Sequence, residues 1–209
     1  MNEPYRITTL FTDIGGVLLT DGWNSRSRSN AALTFNLDLS ELEERHHLTF
    51  DTFEIGKISL DEYLLRVVFY EKRSFTAGQF KEFMFAQSKP FPEMIQLLSQ
   101  LKNKYHLKVA VVSNEGMELT EYRIKKFRLY DVVDFFVSSC FVHLRKPDVE
   151  IFALAVNIAQ TPVEQIVYIE DRPMFVQMAE SIGIKAIRHT DYESTKNKLG
   201  DFGLLAGSE

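Results

Sequence analysis

The chain has 209 residues, with 24 Lys+Arg against 29 Asp+Glu for a net charge of −5, and 45% apolar and 25% charged residues, the balance of an ordinary globular protein with a core of its own. The mild acidity speaks against a general nucleic-acid binder, which needs a basic face, and a single cysteine, Cys140, excludes an intrachain disulfide and a cysteine-based zinc cluster. No apolar run approaches the roughly 20 residues that cross a bilayer, and Met1–Arg6 is short and polar rather than a signal peptide, so the expected location is the cytoplasm, with no membrane partner.

In chain order, residues 7–12 are β-rich and lead into Asp13-Ile14-Gly15-Gly16, a sharp turn signal. From about 28 to 88 the pattern is helical. Three helix starts carry capping-box spacing there: Ser40 with Glu43, Ser59 with Glu62, and Thr76 with Gln79. Eight of the 17 phenylalanines fall between Phe50 and Phe91, which predicts a small helical bundle with its own aromatic core. His46 and His47 read as ordinary helix positions. Beyond Pro90 and Pro92 the texture alternates. A helix over 92–104 precedes a strand over 107–112, and a helix over 116–129 precedes a strand over 135–137. Pro147 opens a helix with Phe152 and Val156 on its apolar face. Thr161 and Glu164 form another capping box. A strand over 166–169, a helix over 173–182 ended by Gly183, and a strand over 184–187 follow. The stretch Gly200 to Glu209 shows little periodicity and is expected to be loosely held.

Strands alternating with helices predict an α/β fold: a three-layer, Rossmann-like parallel sheet covered on both faces. The helical stretch interrupts it after the first strand. The expected organisation is therefore a core of residues 1–20 and 90–209 with an inserted helical domain over 21–89.

In an open parallel sheet, chemistry gathers at the carboxyl ends of the strands. Standing there are Asp13, Ser113-Asn114 and Glu170-Asp171, with Lys146 in the loop after the third strand. Magnesium takes oxygen ligands from one or two carboxylates and commonly substrate phosphate; Asp13 and Asp171 can supply that pair. Ser113 and the amides opening the next helix can bond a phosphate, and Lys146 can neutralise negative charge.

These motifs together resemble the haloacid dehalogenase-like hydrolase superfamily, in its branch with a small helical cap after the first motif. Leu10-Phe11-Thr12-Asp13-Ile14-Gly15-Gly16-Val17-Leu18 looks like its first motif and Val109-Ala110-Val111-Val112-Ser113-Asn114 its second. Arg145-Lys146-Pro147-Asp148 is similar to the third, and Val167-Tyr168-Ile169-Glu170-Asp171 to the fourth. The phrase Phe53-Glu54-Ile55-Gly56-Lys57-Ile58-Ser59 resembles a helix–turn–helix seam of such caps. The resemblance implies hydrolysis of a small phosphorylated metabolite, such as a sugar phosphate, through an aspartyl-phosphate on Asp13. It implies Mg²⁺ held by Asp13, the Gly15 carbonyl and Asp171, with Glu170 as direct or outer support. Gly15, Gly16, Ser113, Asn114 and Lys146 would bind the phosphate.

Three positions depart from the family pattern. Most phosphatases of the family carry a second Asp two residues after the nucleophile, where this chain has Gly15; relatives with glycine there include phosphatases. His143 replaces a frequent Gly, and Phe175 replaces a frequent Asn or Asp and falls on an apolar stripe expected to pack in the core. A water, a cap residue or His143 remain open as replacements for the missing acid. Two other readings stand beside hydrolysis. One is a non-catalytic phospho-ligand binder that lost the acid at Gly15. The other is a 2-haloacid dehalogenase, which needs an Arg near the first motif, for which Arg26 or Arg28 are the candidates.

Overall fold

A computed structural model describes residues 6–206; the expectations for Met1–Tyr5 and for 207–209 lie outside the described residues. Five strands, β1 (Thr9–Thr12), β2 (Lys108–Ser113), β3 (Phe135–Ser138), β4 (Ile166–Glu170) and β5 (Lys185–Arg188), form one parallel sheet in the order β3-β2-β1-β4-β5. The chain steps outward from β1 on both sides, so the strand order reverses there. That reversal opens a crevice at the carboxyl end of β1, the usual ligand position in such sheets.

Alternation along the strands sorts their side chains to two faces. Leu10, Val109, Val111, Val167 and Ile169 face one way, against Leu97, Leu98 and Leu101 of α6 (Pro92–Tyr105) and Leu199 of α11 (Tyr192–Asp201). Phe11, Ala110, Val112, Ile166 and Tyr168 face the other, against Ile151, Phe152 and Ala155 of α9 (Val149–Ala159) and Ala179 of α10 (Pro173–Ser181). Short α8 (Ser139–Val142) follows β3 directly.

Between β1 and α6 lie five helices: α1 (Ser25–Phe35), α2 (Leu39–His47), α3 (Phe50–Glu54), α4 (Leu60–Val67) and α5 (Ala77–Ala86). They share a separate apolar cluster of Trp23, Leu42, Phe53, Tyr63, Phe80 and Met84, which reaches Leu119 on α7 (Met117–Lys126). The Phe35 ring lies 4.5 Å from Phe75 and 4.9 Å from Phe80. The two chain crossings into this group run side by side. Thr20 N–H donates to Lys89 O, and Phe91 N–H donates to Leu18 O, each at 2.8 Å. Arg123 of α7, buried, donates to Thr20 O on one crossing and Ser88 Oγ on the other.

Several local expectations are corrected. Capping boxes form at Ser59–Glu62 and Thr76–Gln79, but α2 starts earlier than Ser40, capped by Asp38, whose carboxylate accepts from Glu41 N–H. A charged acceptor suits the positive end of a helix better than a hydroxyl. Thr161 caps no α-helix; only a 3₁₀ turn, Val163–Gln165, follows it, and its hydroxyl donates to Ala159 O. α9 starts at Val149, after Pro147, with Asp148 at its N-cap. The unexpected α11 is capped by Asp191. The chain beyond it is anchored through Ala206: Leu204 is buried, and Leu205 O accepts from Lys104 Nζ and Tyr105 Oη. Among the described residues no helix is long and apolar enough to cross a membrane.

Gly56 joins the helical group to the sheet. Its φ is +69°, and a Cβ there would collide with the Cys140 carbonyl. Gly203, at φ +79°, has open space around it. Both substitutions to Ala bear the left-handed backbone cost of about 1–2 kcal/mol, but only Gly56→Ala adds a collision, typically about 1–3 kcal/mol. Urea denaturation should therefore rank Gly56→Ala as clearly the less stable; equal losses would refute the close contact.

Candidate active site

Asp13 follows the last residue of β1, and its N–H donates to Ile169 O of β4, so it stands level with Glu170 at the crevice. The chain then folds back: Leu18 and Leu19 N–H donate to Ile14 O, and Gly16 N–H donates to Leu19 O at 2.8 Å. Gly16 has φ +73°, and a Cβ on it would run into the Asp171 carboxylate. Glycine is required there twice over, for its backbone angle and for the approach of Asp171. The expectation that Gly16 would bind phosphate is corrected on its amide, which is spent on Leu19.

The centre of the site is Lys146, which is fully buried. Its Nζ lies 2.6 Å from Glu170 Oε2, 3.1 Å from Asp13 Oδ2 and 3.0 Å from Tyr168 Oη. Burial works against its charge, but Asp13 and Glu170 outweigh burial and hold its pKa above the ordinary lysine value. Burial likewise opposes ionisation of Glu170, yet Lys146 keeps that carboxyl below its usual range. At Asp13 burial prevails and raises the carboxyl, against the pull of Lys146.

Asn114 was expected on the phosphate. Its side chain instead grips the Lys146 main chain at both ends, donating to Lys146 O at 2.8 Å and accepting from Lys146 N–H at 2.9 Å. Glu170, offered as a metal ligand, is engaged by protein on both oxygens: Oε2 by Lys146 and Tyr168 Oη (2.5 Å), and Oε1 by Arg172 N–H (3.0 Å). Phe175 is not simply core; its ring centroid lies 4.8 Å from Lys146 Nζ, an attractive cation–π contact.

Asp13, Glu170 and Asp171 each offer a carboxylate oxygen, all within 4.8 Å of one another. Asp171 Oδ1 is buried without a hydrogen-bond partner. Burial, then the adjacent Glu170 and Asp13, push its pKa up to about 8. An orphaned oxygen in a knot of carboxylates fits a hard divalent cation, which would supply the missing partner and charge.

Above Asp13 and Lys146 lies a cavity of about 410 Å³, which Gly15 also lines. Its other walls include Trp23, Arg28, His46, Phe50 and Phe53 from the helical group, and Glu115, Arg145 and Phe175 from the sheet side. His46 is thus more than a helix position: it stacks on Phe50 at 5.2 Å and shares a 2.7 Å hydrogen bond with Tyr63 Oη. Burial, then Arg28, lower its pKa to about 3, so the ring is neutral at pH 7. Arg145 bonds Glu54 at 2.7 Å and also Asp51. His143 is exposed, outside the lining, and bonds Ile55 O at 2.7 Å. Of the two arginines offered to a halide, Arg26 is exposed and outside the lining, and Arg28 is committed to Glu43 (2.8 Å) and Trp23 O (2.6 Å).

Sequence reasoning passed over Tyr168, Asp21, Glu115 and Arg123. Tyr168 was within reach, because residues two apart on a strand share a face and Glu170 had already been singled out. Glu115, buried with its pKa raised to about 7 by burial, and its partner Arg123 at 3.3 Å carry no local motif.

Removing the ammonium strands two carboxylates in a dry site. Lys146→Met should cost about 3–5 kcal/mol in urea denaturation. Adding Glu170→Gln to it should recover part of that loss, because one stranded charge is gone. Strict additivity of the two changes would show that the pair is not coupled.

A family model described as haloacid dehalogenase-like hydrolase matches residues 31–189. Flavin mononucleotide hydrolase 1, chloroplastic, of Arabidopsis thaliana is 27% identical over 177 residues, covering 81% of this chain and 69% of that protein. A HAD family enzyme of Bacteroides thetaiotaomicron, solved with magnesium and inorganic phosphate, matches with a TM-score of 0.74 at 20% identity, over 90% of this chain and 98% of that one. An L-2-haloacid dehalogenase of Xanthobacter autotrophicus matches at 0.63 and 14% identity, over 95% and 84%. Likenesses at such identities speak for the fold; the family match spans most of the chain and carries the assignment. The chain belongs to the haloacid dehalogenase-like hydrolases.

Proposed function

We propose that this protein is a magnesium-dependent phosphatase of small phosphorylated metabolites, with residues 21–89 as a cap over a core of 1–20 and 90–209. The observation that carries the reading is Asp13, held 3.1 Å from a fully buried Lys146, beside an unpartnered Asp171 oxygen and beneath the cavity. Asp13 attacks phosphorus and takes the phosphoryl group as an aspartyl-phosphate, while the alcohol leaves; water then releases phosphate. Splitting the transfer in this way replaces one hard step by two easier ones. Asp13, Asp171 and the Gly15 carbonyl would hold the cation, which supplies positive charge against the phosphoryl oxygens. Lys146 offsets the gathered negative charge of nucleophile and phosphate. Ser113, buried at the end of β2, would bind the phosphoryl oxygens, and Glu170 with Tyr168 and Asn114 fixes Lys146. The walls contributed by the helical group exclude water and select the substrate.

The mix of aromatic rings and arginines around the cavity suits a substrate with a flat or polyhydroxylated body. A panel of sugar phosphates, nucleotides and flavin mononucleotide is the direct test, the last because the Arabidopsis relative is named for it. Turnover should require magnesium and should fall by about 10³-fold or more in Asp13→Asn, in a variant that circular dichroism shows to be folded. Activity retained in that variant would remove Asp13 as nucleophile; a wild type that binds phosphate esters but turns over none would make the protein a binder.

The metal reading has its own readout. Magnesium at a hundred times its Kd should add about 2.7 kcal/mol of stability, visible as a raised Tm. Asp171→Ala should abolish that rise and Glu170→Gln should keep it. The opposite ranking would make Glu170 the direct ligand.

A further inference from the structure

We propose that Asp21 is the acid–base residue of this site: its carboxyl protonates the departing oxygen and later accepts the proton of the attacking water. The proposal rests on the phosphatase reading above.

The observation concerns Gly15. Unlike Gly16, Gly15 is not among the residues of positive φ, so its backbone does not demand glycine. What glycine provides is room. A Cβ on Gly15 would lie 3.0 Å from Asp21 Oδ1 and 3.8 Å from Asp21 Cα. The Asp21 carboxylate therefore fills the space that a side chain at position 15 would take, two residues from the nucleophile. It arrives there from the first chain crossing rather than from the turn itself.

The surroundings favour this group over every other acid of the cavity. Asp21 is half-buried and lines the cavity with Asp13 and Lys146. Its Oδ2 accepts from Asn24 Nδ2 at 3.1 Å, which orients the carboxyl. Its Oδ1 has no hydrogen bond or ion pair among the described residues. Glu54 is tied to Arg145, and Glu115 to Arg123 and the Gly116 amide. Glu170 is saturated by Lys146, Tyr168 and the Arg172 amide. His46 holds no proton to give at pH 7, and His143 lies outside the cavity.

The proton balance closes over one cycle. As the Asp13 carboxylate forms its bond to phosphorus, the P–O bond to the alcohol breaks, and that oxygen takes the proton of Asp21, leaving as neutral alcohol. Water then attacks phosphorus of the aspartyl-phosphate. Asp21, now ionised, takes one proton of that water, the P–O bond to Asp13 breaks, and phosphate departs. Asp21 is again protonated for the next substrate.

The test uses the magnesium-loaded protein and Asp21→Asn, comparing an alkyl phosphate with p-nitrophenyl phosphate in single-turnover and burst experiments. General acid catalysis is worth about 10²–10⁴-fold, so cleavage of the alkyl ester should slow by that factor. Release of p-nitrophenolate, which needs no proton, should change by less than about tenfold. Its aspartyl-phosphate should then accumulate for want of the base, seen by intact mass after acid quench. Melting temperature and magnesium affinity should match the wild type. Equal loss on both esters, no loss on the alkyl ester, no accumulation, or lost magnesium affinity would each overturn the assignment. If Asp21→Asn does not fold, Gly15→Asp/Asp21→Gly replaces it, placing a carboxyl in the same space from the other stem. Alkyl turnover restored above that of Asp21→Gly supports the proposal; a folded, magnesium-binding double variant with no recovery overturns it. A wild type inactive on every ester overturns the phosphatase reading and this assignment together. An active wild type, an inactive Asp13→Asn and an unimpaired Asp21→Asn overturn this assignment alone.

Discussion

An ammonium group without water must be surrounded by its own counter-charges, and Lys146 sets that condition for the whole site. Leaving such an ion unpaired costs several kcal/mol. The partners come from β1 and β4, which are neighbours only because the strand order reverses at β1. The pairing of Thr12 with Ile169 brings Asp13 and Glu170 to one level, and the alternation of β4 turns Tyr168 and Glu170 to the same side. Asn114, from the end of β2, then fixes the Lys146 backbone at two points. Three strand ends are thus committed to one cation. A shift of a single residue in either pairing would turn the carboxylates away from it.

The same arrangement explains the division of labour among the acids. Glu170, on the last residue of β4, is drawn inward to Lys146 and spent there. Asp171, one residue later, lies beyond the strand end and is left with a buried, unpartnered oxygen. The two adjacent carboxylates therefore meet different surroundings: one is paired with Lys146, and the other keeps an unpartnered oxygen.

Much of this was legible in the chain. The parallel sheet followed from runs such as Val109-Ala110-Val111-Val112, and the aromatic group from the clustered phenylalanines. Asp13, Lys146 and Asp171 stood out because each ends or follows a strand. What escaped was information that needs two distant segments at once. Asn114 looked like a phosphate ligand because its hold on residue 146 crosses 32 positions. The absence of a side chain at Gly15 read as a loss, because the proximity of Asp21 depends on the path of the intervening turn. Asp38 displaced Ser40 as a helix cap because several acceptors competed within three residues, and sequence spacing alone does not rank them. α11 was missed because its apolar face is narrow, with Leu199 as its buried anchor.

The side-by-side crossings at Thr20–Lys89 and Leu18–Phe91 constrain more than connectivity. Neither crossing can shift along its neighbour without breaking the backbone bonds that join them. Arg123, donating to Thr20 O and Ser88 Oγ, ties the two crossings together a second time. Glu54 makes a separate tie, its carboxylate to Arg145 and its carbonyl to Ser139 Oγ. The helical group is therefore fixed to the rest of the chain in three unlike ways at once: by paired backbone at the crossings, by ion pair and hydrogen bonds at Glu54, and by apolar packing on Leu119.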